Sequence, residues 1–410
     1  LRPRGCGACR RLHCDSKLYA GPEENCRLTT PPGEKNRAEY VESLTMEDRF
    51  ESFPVLIGWE LTLACNLRCR HCASSAGKPR EDELTLDESL EICEQLPELL
   101  VLEVVFTGGE PLISLHWERI AQRLRELGIR AGMVTNGVCL NKEMVQRLLD
   151  AEVTALAISL DGEPDTHDFM RGVDGLHQRV VSGIEQALDA GIRVTVVTTV
   201  NTINIRELHT IRERLKSLGV KQWQLQPAFG FGRMRENRYL LLSDANYLEL
   251  GRFIKSVQSV AQNGGPKIFP ADGVGYFSDL EVEGPPWRGC SAGITTCGIM
   301  SDGRVKGCLS WPDHLVTGDL RKNDLWDIWF HEDAFSHTRR FDVRELDGSC
   351  RDCDKGESCK GGCSAMSYSE TGLFHADPYC FRAIINKLKP GRDGKADPET
   401  DTRLPFNQVR

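Results

Sequence analysis

An excess of positive charge, a long apolar run and clustered aromatics are all missing from this 410-residue chain. Lys and Arg number 51 against 60 Asp and Glu, for a net charge of -9. Such a balance gives no electrostatic footprint for nucleic acid or anionic lipid. No apolar stretch approaches the ~20 residues that span a bilayer. The basic segment Leu1 to Arg11 has no hydrophobic segment after it, so no signal peptide is read. Aromatic residues make up only 7%, and the scattered Trp and Tyr form no stacking platform for bases. Internal repeats and low-complexity tracts are also missing. What remains is the composition of an ordinary soluble protein, 40% hydrophobic and 27% charged. Its length suits two or three domains.

Cysteine is what the chain has in plenty. There are 17, an odd number that no complete disulfide scheme accommodates. They fall into tight sets at 6, 9, 14 and 26; at 65, 69 and 72; at 290, 297 and 308; and at 350, 353, 359, 363 and 380. Between these sets lie only Cys93 and Cys139, which read as ordinary packed thiols. Short spacings of this kind indicate metal ligation in a reducing compartment. A cytoplasmic, oxygen-sensitive protein is expected, with no nucleic-acid or membrane partner.

From Val55 onward, strand-like runs alternate with amphipathic helical patterns. The strands are read at Val55–Leu63, Leu102–Phe106, Arg130–Val134, Ala155–Leu160, Arg193–Val200 and Gln222–Gln226. Helices are read at Leu86–Leu96, His116–Leu127, Lys142–Ala151, Gln178–Ala190, Ile205–Leu218 and Asp244–Gln262. Six βα units imply a parallel sheet with right-handed crossovers. They are too few for a closed eight-stranded barrel, so the expected fold is α/β, a partial (β/α)6 TIM-like barrel. Its polar strand C-termini are where a βα barrel places its active site. The expected organisation is an N-terminal extension over 1–54, the barrel over 55–262, a bridge over 263–289, a cysteine-rich domain over 290–385 and a mobile tail over 386–410.

The most informative segment is Cys65-Asn66-Leu67-Arg68-Cys69-Arg70-His71-Cys72, directly after the first strand. Three thiolates so close can hold three irons of a [4Fe–4S] cube and leave the fourth without a protein ligand. An open iron can bind a small chelating molecule and pass it an electron. The plain alternative is a zinc knuckle lacking one ligand. Further on, Thr107-Gly108-Gly109-Glu110-Pro111 ends the second strand, where two glycines let a ligand approach the backbone closely. A turn without function would explain them equally.

With these residues in view, the chain resembles the radical S-adenosylmethionine (SAM) superfamily, whose signature is C-x3-C-x2-C after the first barrel strand. The resemblance implies that SAM binds the open iron through its amino and carboxylate groups. It implies that an electron from the cluster cleaves the sulfonium, and that the 5′-deoxyadenosyl radical takes a substrate hydrogen. Cys65, Cys69 and Cys72 would be the catalytic cluster ligands. His71 would lie beside the adenine. Gly108, Gly109 and Glu110 would serve the SAM amino group. Ser159, followed by Asp161, would help bind the carboxylate. A guanidinium can clamp that carboxylate, with Arg179 the first choice and Arg171 the second; each can also be read as a solvated arginine. Asn136, Thr199, Asn201, Gln224 and Gln226 sit at other strand ends and serve either the pocket or backbone capping.

The C-terminal cysteines resemble the SPASM domain of peptide-modifying radical SAM enzymes: Cys290-x12-Gly303-x4-Cys308, then Cys350-x2-Cys353-x5-Cys359-x3-Cys363, then Cys380. By that resemblance, one auxiliary [4Fe–4S] cluster would use Cys290, Cys297, Cys308 and Cys363. A second would use Cys350, Cys353, Cys359 and Cys380. Two zinc sites are the alternative. Cys6, Cys9, Cys14 and Cys26 stand outside the pattern and suit a zinc or iron–sulfur site, or loose thiols on a flexible segment. Nearby Arg2, Arg4, Arg10 and Arg11 form a basic end for an acidic peptide or a solvated face.

Relatives with this domain commonly act on ribosomally made precursor peptides, and a smaller group on haem precursors. The expected activity is a peptide-modifying oxidoreductase, a maturase that forms a crosslink or other modification. Its partners would be a precursor peptide, a reductant such as ferredoxin or flavodoxin, and a separate leader-recognition protein. The alternatives are a radical enzyme acting on a tetrapyrrole or other small molecule, and a non-catalytic electron-transfer or zinc protein. Leu309 stands where sulfatase-maturing relatives carry a basic Asp, which argues against formylglycine formation.

Overall fold

The computed structural model describes residues 37–45, 53–258, 264–271, 274–276 and 287–388. Cys6, Cys9, Cys14 and Cys26 lie outside the described residues, as do 263, 272–273 and 277–286 of the 263–289 segment and everything beyond 388.

One mixed sheet organises the molecule. Its strands are β1 Leu56–Thr62, β2 Glu103–Gly108, β3 Arg130–Thr135, β4 Ala155–Ser159, β5 Arg193–Val200, β6 Gln222–Pro227, β7 Lys267–Pro270, β8 Thr296–Ile299, β9 Arg304–Lys306 and β10 Gly318–Asp319. Their order across the sheet is β10-β9-β8-β1-β2-β3-β4-β5-β6-β7. All neighbours from β1 to β7 are parallel. The sheet does not close, as a partial barrel requires. The six expected strands are present, and the sheet is wider than they alone would make it. β7, from the segment read as a bridge, pairs with β6. β8, from the cysteine-rich region, pairs in parallel with β1, and β9 and β10 continue antiparallel. Such pairings are set by packing at the sheet edges rather than by a local pattern, so periodicity does not reveal them.

The crossover helices form for local reasons. Leu86–Gln95 (α1) begins on a capping box between Thr85 and Glu88. Trp117–Glu126 (α2) buries Trp117, Ile120, Ala121 and Leu124 at helical spacing. Lys142–Asp150 (α3) is capped by the Asn141 side chain. After β4 there are two helices where one was expected. Pro164–Arg171 (α4) starts with proline, whose missing N–H costs nothing there, and stops at Gly172 in the left-handed conformation. Leu176–Asp189 (α5) follows. Leu208–Ser217 (α6) and Asp244–Gln258 (α7) complete the layer.

A second link fastens the C-terminal region to the barrel. Glu60 on β1 accepts from Arg80 Nε at 2.7 Å and from Ser301 Oγ at 2.9 Å. Glu60 and Ser301 are both buried. Among the described residues, no helix is long and apolar enough to cross a membrane.

Candidate functional site

The strand C-termini open on a cavity of about 280 Å³. Cys65, Cys69 and Cys72 line it, together with His71, Gly108, Gly109, Asn136, Ser159 and Arg171. Residues widely separated in sequence thus meet at one mouth, delivered by strand ends, the turns that follow them and, for Arg171, helix α4. Burial raises the Cys69 thiol and pushes Cys65 up to about 11. Loading a metal cluster must therefore release protons. Donors already face these sulfurs: Leu67 N lies 3.4 Å from Cys65 Sγ, and Arg171 Nη1 lies 3.7 Å from Cys69 Sγ. Three thiols on one wall, with nearby donors, fit a cluster that keeps one iron free of protein.

The two glycines are required by contact. A Cβ at Gly109 would fall 1.9 Å from the Ala64 carbonyl oxygen, and one at Gly108 2.2 Å from that of Thr62. Gly108 also has φ +133. The loop that carries the cysteines therefore rests directly on the β2 turn.

Glu110 departs from expectation. Its side chain is fully buried and does not line the cavity. It accepts from Thr135 Oγ1 at 2.7 Å, Asn136 N at 2.8 Å and Leu112 N at 3.2 Å. Burial pushes its carboxyl up to about 7 despite these donors. Glu110 positions Asn136, whose Nδ2 donates to Asn66 Oδ1 at 2.7 Å within the cysteine loop.

The arginines exchange places. Arg179, the first choice, is exposed on α5 and does not line the cavity. Arg171, the second, is buried and paired with Asp161, Nη2 to Oδ2 2.7 Å. Helix α4, unread in the sequence, delivers it. His71 Nε2 also approaches Asp161 Oδ2, at 3.2 Å, while the buried His71 Nδ1 has no protein partner and can take one from a ligand. Burial works against the Asp161 charge, yet Arg171 and His71 hold its carboxyl well below the usual range.

Thr199 and Gln226 line the cavity and are joined by a 3.2 Å hydrogen bond; Gln224 does not line it. Asn201 is a cap, accepting from Ile203 N at 2.9 Å. Arg233 carried no expectation, yet it lines the cavity and holds the cysteine loop. Its Nε donates to Cys69 O at 2.7 Å and its Nη1 to Ala76 O at 2.8 Å. Gly232 beside it, where a Cβ would sit 2.3 Å from Cys72 O, was the available sequence signal.

Cys350, Cys353, Cys359 and Cys380 line a second cavity of about 360 Å³, as a four-thiolate cluster requires. Cys290, Cys308 and Cys363 gather elsewhere, around Phe231, Ala292, Trp311 and Ala365. Tyr276 links the two groups: its hydroxyl donates to Asp377 in the second cavity and accepts from Cys363 N at 2.7 Å. Cys297 does not fit the set assigned to it. It is 3% exposed within the main apolar core, because strand β8 turns it away.

The radical SAM superfamily model matches residues 59–215, and the model of the SPASM iron–sulfur cluster-binding domain matches 290–354. The chain is 31% identical over 343 residues to the AdoMet-dependent heme synthase of Methanosarcina barkeri, covering 80% of this chain and 96% of that one. It is 28% identical over 338 residues to the mycofactocin maturase MftC of Mycobacterium tuberculosis, covering 80% and 83%. Streptococcus suis SuiB bound to S-adenosylmethionine shares the fold, with a TM-score of 0.66, 18% identity, and 87% and 81% coverage.

Proposed function

Because the chain belongs to the radical SAM superfamily and carries a SPASM domain, we propose that the cavity at Cys65–Cys72 is where it binds and cleaves SAM. The observation that supports this most is the meeting of three loop cysteines, the paired glycines, Asn136, Ser159 and Arg171 on one cavity. Cys65, Cys69 and Cys72 would hold the cluster, which would supply an electron for reductive cleavage of the SAM sulfonium. The chain's own residues do the positioning. Gly108 and Gly109 allow close backbone approach, and Arg171, fixed by Asp161, brings positive charge beside Cys69 for an anionic ligand. Cys350, Cys353, Cys359 and Cys380 would carry electrons as an auxiliary cluster.

The substrate reading placed first is a tetrapyrrole with carboxylate side chains. It is supported by the haem synthase of Methanosarcina barkeri, 96% of whose length this chain covers. A ribosomally made peptide is the second reading. The mycofactocin maturase relative supports it. Formylglycine formation is not proposed: Leu309 packs over the sheet, 3.3 Å from where a Cβ at Gly58 would lie.

Anaerobic reconstitution followed by reduction with SAM should release 5′-deoxyadenosine. An iron porphyrin bearing carboxylates should then lose mass in the presence of the enzyme. An unchanged porphyrin, with a mass change in a co-expressed neighbouring peptide, would replace the first reading by the second. No SAM cleavage by fully loaded protein would remove both.

A further inference from the structure

Cys297 is separated from its sequence neighbours by a sheet. β8 sets Cys297 opposite Ile57 and Gly298 opposite Gly58 on β1. Successive residues of a strand face opposite sides. On the Gly298 side lies Leu309, next to Cys308: a Cβ at Gly298 would fall 2.6 Å from Leu309 Cγ. Cys297 faces the other way, into the core that holds Ile57 and Trp59. Arg339, the charged group near it, donates from Nε to Gly293 O and from Nη1 to Trp329 O, both at 2.5 Å. Bringing the Cys297 sulfur to the other thiols would mean rotating β8 out of its ladder with β1.

We infer that the first auxiliary cluster is held by three thiolates, from Cys290, Cys308 and Cys363, and that Cys297 is a packed core thiol. Among the described residues that cluster then has no fourth thiol, which leaves one iron for a small anionic or thiol ligand. Phe229 lines the SAM cavity and packs on the same buried cluster, Phe231, Ala292, Trp311 and Ala365, as the three thiols, so the two sites are neighbours. The inference rests on family membership and holds for either substrate.

The test uses the full chain, reconstituted anaerobically. With Cys6, Cys9, Cys14 and Cys26 changed to Ala in every sample, three four-iron clusters predict about twelve irons per chain. Cys297→Val, close in volume, should keep the wild-type iron, sulfide and reduced EPR spectrum. Cys290→Ala, Cys308→Ala and Cys363→Ala should each lose about a third of the iron, the share of one cube. A folded Cys297→Val that loses the same third overturns the inference. A second measurement leaves Cys297 untouched. With Cys65, Cys69 and Cys72 all changed to Ala, the radical cluster is gone, and added cyanide should still shift an EPR signal of the remaining clusters. An unshifted spectrum means four protein ligands on each and also overturns it. Neither readout depends on SAM cleavage, so failure here is distinct from failure of the proposed reaction.

Discussion

Arg171 and Asp161 form a buried ion pair just past the end of β4, with Nη2 2.7 Å from Oδ2. The same guanidinium reaches Cys69 Sγ at 3.7 Å, so one charge pair ties the strand end to the cysteine loop.

Removing one partner of such a pair leaves an uncompensated buried charge, which costs about 3–5 kcal/mol. Arg171→Ala should therefore lose about that much stability in urea unfolding and should retain less iron after desalting. The Asp161 carboxyl is depressed, so the pair's contribution is complete above the ordinary carboxylate range near 3.9. It is lost only as the pH falls through the lower folded value. In Arg171→Ala burial instead raises that carboxyl, so the deficit should be largest near pH 8 and shrink as the pH falls toward 5. A deficit that grows as the pH falls would contradict the pairing.

His167 gives a pH effect of its own. Its Nδ1 accepts from Asp161 N at 3.1 Å, which fixes the neutral ring, and burial, aided by Arg171, lowers it to about 3. Below about 6.5 the unfolded chain takes up a proton that the folded chain refuses. Stability should fall with pH in that window, by up to about 1.4 kcal/mol per unit from this group. His167→Gln keeps an acceptor without the titration. Its stability relative to wild type should rise as the pH is lowered from 6.5 toward 5. An unchanging difference would show that His167 is not buried neutral.

Glu110 accepts three hydrogen bonds in a fully buried setting. Glu110→Gln turns one acceptor oxygen into a donor facing Asn136 N. Leaving such a group unsatisfied costs about 1–3 kcal/mol. Thermal unfolding should show that loss, and SAM affinity should weaken because Asn136 is no longer held. Full stability with weakened SAM binding would instead restore the direct contact expected from sequence.

Arg233 should matter through the loop it clamps. Arg233→Ala removes two charged donors from carbonyls of residues 69 and 76. Hydrogen bonds to charged groups contribute about 1.5–3 kcal/mol each. The variant should fold, bind iron initially, and lose it faster than wild type under chelator challenge. Equal chelation rates would count against this role.

What could be read from the sequence was local. Strand ends at Thr107-Gly108-Gly109 and Ser159, and the cysteine loop, are set by short-range pattern, and one cavity gathers Gly108, Gly109, Ser159 and the loop cysteines. What escaped was decided at long range. Arg171, the second choice, reaches the cavity on α4, a helix not read in the sequence. Glu110 is assigned to SAM by the family resemblance, whereas its partners are Thr135 and Asn136, about 25 residues away along the chain. Cys297 is grouped by that same resemblance, whereas its direction is set by the β1–β8 ladder.

The central claim is that the Cys65–Cys72 loop holds the cluster that cleaves SAM. The most direct test is 5′-deoxyadenosine release by reduced, anaerobically reconstituted protein beside its Cys69→Ala variant. The wild type should release it and the variant none, with the auxiliary iron retained. Release by Cys69→Ala at the wild-type rate, or none from a fully loaded wild type, would contradict it.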